Sequence, residues 1–280
     1  MSVELLGLVW ALLLLTGTVL AGTSVGSMFV LGFASLTGPD WPPRVRTALV
    51  GSIRVLPTAA AFLLVAVLAR PWILPTHDSA AVAFSASVVS LATWLIYGQL
   101  FRRAPLGRAT RFVAVTYLVA CALTVWIASE AWLVSLTPDW GSSIFPLYVF
   151  AGFVASSLGL VLLRTDLDDA GSPLARTDLH RLAFAFACLW AYAWYVQYML
   201  AWYANQPHEA GWFARRLVGG WQIAFYGALV LKWLLPFVLL FPMPGAKPAG
   251  TARLAGLGLV GGQVVDLFVV IVPAVASTEP

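Results

Sequence analysis

Four charged residues lie inside long apolar stretches of the chain: Arg54, Glu130, Lys232 and Asp266. A charge at the centre of a bilayer costs about 3 kcal/mol on insertion scales, so it normally faces a bundle interior or a cavity. Such residues mark proton or substrate paths, or they form ion pairs that hold helices in register. Both interpretations stay open, and we take all four as candidates for a proton pathway.

Lys232 and Asp266 lie near the middles of consecutive apolar stretches that a short loop joins. They are about 15 and about 12 residues from the starts of their stretches, on opposite faces of the membrane, which is about 18–23 Å of helix. In a hydrocarbon core about 30 Å thick, the two charges would lie close in depth. We therefore expect partners or water to bridge them, in a polar chain with Glu130 or Gln222.

Amides and aromatic rings recur at helical spacing on the sixth apolar stretch. One stripe contains Trp190, Trp194 and Gln197, and a second contains Tyr195, Tyr198 and Trp202. A quinone could lie against these rings and accept a hydrogen bond from an amide. Rings and amides also serve packing and interhelical bonding, which is the alternative interpretation. The candidate pocket residues are Gln197, Trp194, Tyr198 and Gln222.

The elements that position these residues must be transmembrane helices. Of 280 residues, 61% are hydrophobic and 10% are charged, against about 25% charged in soluble domains. We predict an all-α integral membrane protein, a single transmembrane domain over 1–280 that is surrounded by lipid and binds no nucleic acid. The eight predicted spans are Leu5–Phe33, Thr47–Ala69, Ala80–Phe101, Phe112–Leu136, Ile144–Leu163, Leu182–Ala204, Leu217–Phe241 and Leu254–Val275.

The distribution of Lys and Arg predicts the orientation of these spans. Of 16 such residues, eleven lie in odd-numbered loops, three lie in even-numbered loops and two lie within spans. Loops rich in Lys and Arg stay in the cytoplasm, which places the odd-numbered loops there. Both termini and the even-numbered loops should therefore face outward. Gly22 and Gly26 in the first span match the Gly-xxx-Gly pattern, which predicts a close helix contact.

The ligands for most redox centres are missing from the predicted spans. The three histidines, His77, His180 and His208, fall in loops or at helix ends. A haem, copper or di-iron site needs ligands from facing helices. We therefore expect no metal and no covalently bound cofactor in this chain.

The sixth stretch resembles a specific family. "LAFAFACLWAYAWYVQYMLAWYANQPHE" is similar to the most distinctive segment of the F-type membrane subunit of alternative complex III, which belongs to the NrfD-like, polysulfide-reductase-like group. The matching residues are Phe184-Ala185-Phe186, Trp190-Ala191-Tyr192, Gln197-Tyr198-Met199-Leu200, Trp202-Tyr203-Ala204-Asn205, Pro207 and Glu209.

A second stretch, "AWLVSLTPDWGSSIFPLYVFAG", looks like the family's segment between the fourth and fifth spans. It matches at Trp132, Ser135, Leu136, Pro138, Trp140, Ser142, Ile144 and Phe145. It departs where the family commonly has an acid before the Trp, an acid before the Pro and a His before the next Trp. Those positions are Ala131, Thr137 and Asp139 here, and Glu130 precedes the first of them.

The resemblance implies NrfD-like helix bundles in a bacterial inner (cytoplasmic) membrane. It also implies a subunit of a quinol:electron-acceptor oxidoreductase that transfers no electrons itself. The partners would be a sister NrfD-like membrane subunit, an iron–sulfur subunit and haem c subunits on the outer face. The subunit would hold a quinone or quinol pocket, or proton half-channels.

Two other functions stay open from the residues. A stand-alone proton-coupled transporter of small solutes would often show internal repeats and helices broken at mid-membrane. Pro236 is the only residue that we take as a good breaker in the middle of a predicted span. An NrfD-like membrane anchor of a molybdenum enzyme is the third possibility.

Overall fold

The structure, a computed structural model, describes residues 3–38, 41, 43–73, 80–103, 108–137, 140–164, 173–241 and 247–276, which are almost entirely helical and include no strand. The helices are α1 (Val3–Thr37), α2 (Pro43–Ile53), α3 (Leu56–Ala69), α4 (Ala80–Arg103), α5 (Arg108–Trp132), α6 (Phe145–Arg164), α7 (Pro173–Ala204), α8 (Pro207–Arg216), α9 (Trp221–Leu229), α10 (Leu235–Leu240) and α11 (Ala249–Ala276). A π-helical turn, Val230–Leu234, joins α9 to α10. His77, Pro138, Asp139 and the C-terminal residues 277–280 lie outside the described residues.

Within those ranges, eight segments are long and apolar enough to cross a membrane. The predicted fold class and number of spans are therefore confirmed. Two spans are interrupted, each just before a proline. Pro57 in α3 cannot donate to the carbonyl of Ile53, where α2 ends, and Pro236 in α10 cannot donate to the carbonyl of Lys232.

Arg54 lies at the break between α2 and α3, and it is exposed. The structure therefore does not place this charge in the bundle interior, and its role in a proton pathway stays a prediction. Arg54 does not join the buried polar residues described below.

The most enclosed span is α6, which packs against α1, α7 and α11. In the apolar 18-residue stretch of each span, 78% of the residues are buried in α6, compared with 61% in α11 and 50% in α1. The close contact predicted at Gly22 and Gly26 is confirmed, because a Cβ at either position would clash with Phe153 of α6. Helix α1 also packs on α3 and α5, so it joins the first four spans to the last four.

The polar end of the sixth stretch forms a sharp turn and a short helix. Helix α7 ends at Ala204, and Asn205 adopts the left-handed conformation with φ of 48°, which Asn tolerates better than most residues. Pro207 then opens α8. Trp212 and Phe213 are buried while Arg215 is exposed, so α8 covers the ends of neighbouring spans with its apolar face.

Candidate functional site: a buried Lys–Asp pair

Lys232 and Asp266 form a buried ion pair in the second half of the chain. The distance from Lys232 Nζ to Asp266 Oδ2 is 2.5 Å, and the side chains are 0% and 6% exposed. The prediction that both charges face the interior is confirmed. They are in direct contact, whereas we expected partners or water to bridge them.

Close approach of two backbones makes this contact possible. A Cβ on Gly262 of α11 would lie 2.9 Å from Cβ and 3.0 Å from the backbone nitrogen of Lys232. Lys232 sits in the π-helical turn, where one extra residue widens the helix and changes the direction of its side chains. Gly262 and Asp266 are one turn apart on α11, so the same face accepts the Lys232 backbone and its ammonium.

Asp266 receives hydrogen bonds from three other elements of the fold. Tyr148 of α6 donates its hydroxyl to Oδ1. Trp190 of α7 donates its indole N–H to Oδ2 at 3.1 Å. Together with Lys232 of the π-helical turn, these donors occupy a carboxylate that can accept about four bonds. A buried carboxylate needs such donors, because burial removes its hydration.

The ammonium of Lys232 lies in an environment suited to a cation. Nζ is 4.4 Å from the centre of the Trp190 ring and 5.8 Å from that of Tyr148, within the range of cation–π attraction. Gln263 Oε1 is buried and has no hydrogen-bond partner among the described residues. A Cβ on Gly152 would lie 2.6 Å from this oxygen and 2.7 Å from Nζ, so both atoms face the bare Cα of Gly152.

A small cavity adjoins the carboxylate of Asp266. The volume of this cavity is about 10 Å³, which is room for about one water molecule. The candidates Trp194 and Gln197 line it. Tyr198 stacks on Trp194 with ring centres 5.8 Å apart, and Gln197 donates to Ala193 O of its own helix at 3.0 Å.

Helix α8 closes this cavity with Trp212 and Phe213. Arg216 holds α8 to α11: its guanidinium donates to the carbonyls of Val269 and Val270, each at 2.8 Å. Pro273 has no N–H to offer the Val269 carbonyl, so Arg216 supplies the missing donor. Burial, with the neighbouring charge of Arg215, lowers the pKa of Arg216 to about 9, so it remains protonated at neutral pH.

Two other predicted site residues lie elsewhere. Glu130 lines a separate cavity between α4 and α5. Gln222 accepts a hydrogen bond from the backbone N–H of Gly220 at 2.9 Å, at the start of α9. Neither lines the cavity beside Asp266, and the polar chain that would join Glu130 or Gln222 to the ion pair stays a prediction.

Sequence reasoning missed Tyr148, Gly152 and Arg216. Tyr148 and Gly152 are one helical turn apart in an apolar run, which is also an ordinary packing pattern, so their spacing alone does not reveal a site. Arg216 looked like an ordinary loop charge. Its proximity to Trp212, four residues earlier, was the available signal, and the guanidinium carbon lies 3.6 Å from that ring centre.

The fold and this site define a multi-pass membrane protein with a charged pair buried at mid-span. In the described part of the chain, no group of three or more His, Cys, Asp or Glu side chains is placed to hold a metal ion. No family model matches the chain, and no curated protein is significantly similar to it in sequence.

Proposed function

We propose that this chain is a membrane subunit of a quinol-oxidising electron-transfer complex of the alternative complex III type, and that the Lys232–Asp266 pair carries protons within it. The observation behind this proposal is the ion pair itself, buried at mid-span beside a cavity of water size. Ionisable groups buried in spans commonly belong to proton relays.

The size of the cavity favours a proton over a quinone at this position. Ligand sites typically enclose about 300–1,000 Å³, whereas the volume of this cavity is about 10 Å³. Trp194 and Gln197 border a space in which a quinone ring does not fit. A quinone or quinol pocket in the complex would therefore lie between this chain and its partners or in the sister subunit.

The pair can pass a proton in two steps. A proton that enters through the cavity neutralises the Asp266 carboxylate and removes the negative charge that stabilises protonated Lys232. Lys232, fully buried, then releases its own proton toward the other side. Tyr148, whose hydroxyl donates to Asp266, orients the carboxylate. One proton enters and one leaves, and the pair returns to its starting state when Lys232 recovers a proton from Asp266.

Two motifs, one in the sixth span and one between the fourth and fifth spans, resemble segments of the F-type subunit. This resemblance supports membership of the complex. Two of the motif residues, Trp190 and Gln197, lie at the ion pair and its cavity. The proposed partners are a sister NrfD-like membrane subunit, an iron–sulfur subunit and haem c subunits on the outer face, in a bacterial inner membrane. This chain contributes no redox group of its own.

Purification in a mild detergent tests membership of the complex. We expect iron–sulfur and haem c proteins to accompany the chain, with a c-type haem absorbance spectrum. A chain that purifies alone and moves a solute into vesicles would instead be a transporter, a function for which the π-helical turn at mid-span is suited. Association with a molybdenum enzyme would support the anchor function.

Proton movement is tested in the assembled complex with Lys232→Met/Asp266→Asn. The double variant removes both charges, so no unpaired charge remains buried. We expect assembly and quinol oxidation to persist while proton release coupled to quinol oxidation falls. Glu209→Gln, at a carboxyl of α8 that does not line the cavity, is the control. Unchanged proton coupling in the double variant would contradict a proton role for the pair.

A further inference from the structure

A second, larger cavity lies between α4 and α5, near the ends of these helices that are predicted to face outward. Its volume is about 470 Å³, within the range of ligand sites. Its walls are mainly apolar and come from Val82, Ala83, Ala86, Trp126, Ile127, Ala131 and Val134, together with Arg70, Glu130 and Ser135.

Arg70 secures one end of this cavity. Its guanidinium donates to the carbonyls of Ala131 at 3.3 Å and Ser135 at 2.9 Å. These carbonyls belong to the last turn of α5 and to the turn that follows it, where a positive charge stabilises the negative end of the helix dipole. This wall of the cavity is therefore tied in place without any bound molecule.

Glu130 brings a negative charge to the same cavity. Its carboxylate has neither a hydrogen bond nor an ion pair within the described ranges. Trp126 is four residues earlier on α5, so the indole and the carboxylate lie on one face. A carboxylate beside an aromatic ring attracts an ammonium group, by charge from the first and by cation–π attraction from the second.

The cavity opens on a side of the spans that is exposed within this chain, where we expect lipid. Val82 is 64% and Trp126 is 49% exposed, although both belong to spans. Glu130 is six residues from the end of its span at Leu136, which is about 9 Å of helix. We expect that depth to lie near the boundary between headgroups and acyl chains, because the span is longer than a hydrocarbon core about 30 Å thick. A ligand that reaches this carboxylate from the bilayer therefore needs both a cationic headgroup and an apolar body.

We infer that this cavity binds the headgroup of an aminophospholipid, with its primary ammonium on Glu130 and against Trp126. A primary ammonium donates hydrogen bonds to a carboxylate, whereas a quaternary ammonium has no N–H to donate. A single tryptophan is also less than the aromatic cage that quaternary ammonium ligands favour. The inference is independent of the proposed proton route.

The test measures lipid retention by the protein in its native assembly. The assembly is placed in nanodiscs of phosphatidylethanolamine, phosphatidylcholine or phosphatidylglycerol, and lipid still bound after transfer to detergent is counted by native mass spectrometry. We expect selective retention of phosphatidylethanolamine. Glu130→Gln should lower that selectivity at least about tenfold, since a hydrogen bond to a charged group is lost.

Two further variants separate binding from folding. Ala86→Phe fills the cavity and should release the lipid while the Glu130 carboxylate remains. Glu209→Gln removes a carboxyl that does not line this cavity and should retain the lipid. Equal retention of all three lipids, undiminished selectivity in both cavity variants, or a protein helix from a partner in the cavity would overturn the inference.

Discussion

At the scale of residues, the energetics of the Lys232–Asp266 pair decide how it should be altered. Each charge loses its hydration on burial, and their contact at 2.5 Å offsets that cost only while both are present. Lys232→Met or Asp266→Asn alone should therefore lower stability by about 3–5 kcal/mol. Thermal unfolding in detergent measures this loss.

The double variant provides the contrast for these single changes. Lys232→Met/Asp266→Asn leaves no unpaired charge, so its loss of stability should be smaller than the sum of the two single losses. The amide oxygen that Asp266→Asn introduces can still accept hydrogen bonds from Tyr148 and Trp190, which donate to the carboxylate in the natural chain. Additive losses would show that the two charges are not energetically coupled.

Gly152 gives a sharper steric prediction at the same scale. Gly152→Ala would place Cβ within 2.7 Å of Lys232 Nζ and within 2.6 Å of Gln263 Oε1. Because the ion pair with Asp266 holds Lys232 Nζ and both side chains are buried, the substitution should destabilise the protein by about 1–3 kcal/mol. Gly261→Ala, on α11 with nothing within 4 Å of its added Cβ, should be neutral or stabilising in the same unfolding assay. If Gly152→Ala leaves stability unchanged, the side chains around Gly152 can move aside at little cost.

The chemistry of single residues could be predicted only where it was unusual. Lys232 and Asp266 stood out because charges are rare in apolar spans. Tyr148 and Gly152 did not, because a tyrosine or a glycine in such a span is common. Arg54 lies exposed in the turn between α2 and α3, and the apolar run around it gave no sign of that turn.

At the scale of elements, the contact between α8 and α11 depends on Arg216. Arg216→Met should cost about 2 kcal/mol or more, since buried carbonyls lose charged donors. Arg215→Met, at an exposed neighbour, should change stability by less than about 0.5 kcal/mol. Unfolding curves of the two variants give the comparison, and equal effects would contradict a specific role for Arg216.

Pro273 allows a more specific test of how Arg216 stabilises this contact. Pro273→Ala restores an N–H that can donate to the Val269 carbonyl within α11. In that background, Arg216→Met should cost less than in the natural chain, and a double-mutant cycle measures the difference. If Arg216→Met costs as much stability with Pro273→Ala as without it, Arg216 does not replace the missing helix donor. It would then act through its bonds to the carbonyls of Trp212 and Val270.

The helices themselves were largely predictable, and their interruptions were not. Eight apolar runs of sufficient length gave eight spans. The break after Ile53 and the π-helical turn at Lys232 each precede a proline, but a proline inside an apolar run also fits a simple kink. The choice between kink, break and π-helical turn depends on neighbouring helices. The approach of Gly262 to Lys232 is such a neighbour, and no local pattern encodes it.

At the scale of the whole molecule, composition determined the class of fold but not which spans meet. Periodicity indicates which face of a helix is apolar, and in a membrane nearly every face is apolar. The enclosed position of α6 between α1, α7 and α11 therefore had no clear sequence signal beyond Gly22 and Gly26. The same limitation explains why Glu130 was grouped with Lys232 and Asp266, although it lines a different cavity.

The orientation in the membrane is a further prediction at this scale. Positive charge concentrates in the odd-numbered connections between spans, so segments 102–111 and 164–181 should lie in the cytoplasm and segment 205–216 should lie outside. In a background with both native cysteines replaced by Ala, Gln206→Cys should react with an impermeant maleimide on intact cells. Arg103→Cys should react only after the membrane is permeabilised. Both positions are exposed in the structure, so access to the side chain does not bias the comparison. The reverse labelling pattern would place α8 and the cavity that it covers on the cytoplasmic side, and protons would then enter the Lys232–Asp266 pair from that side.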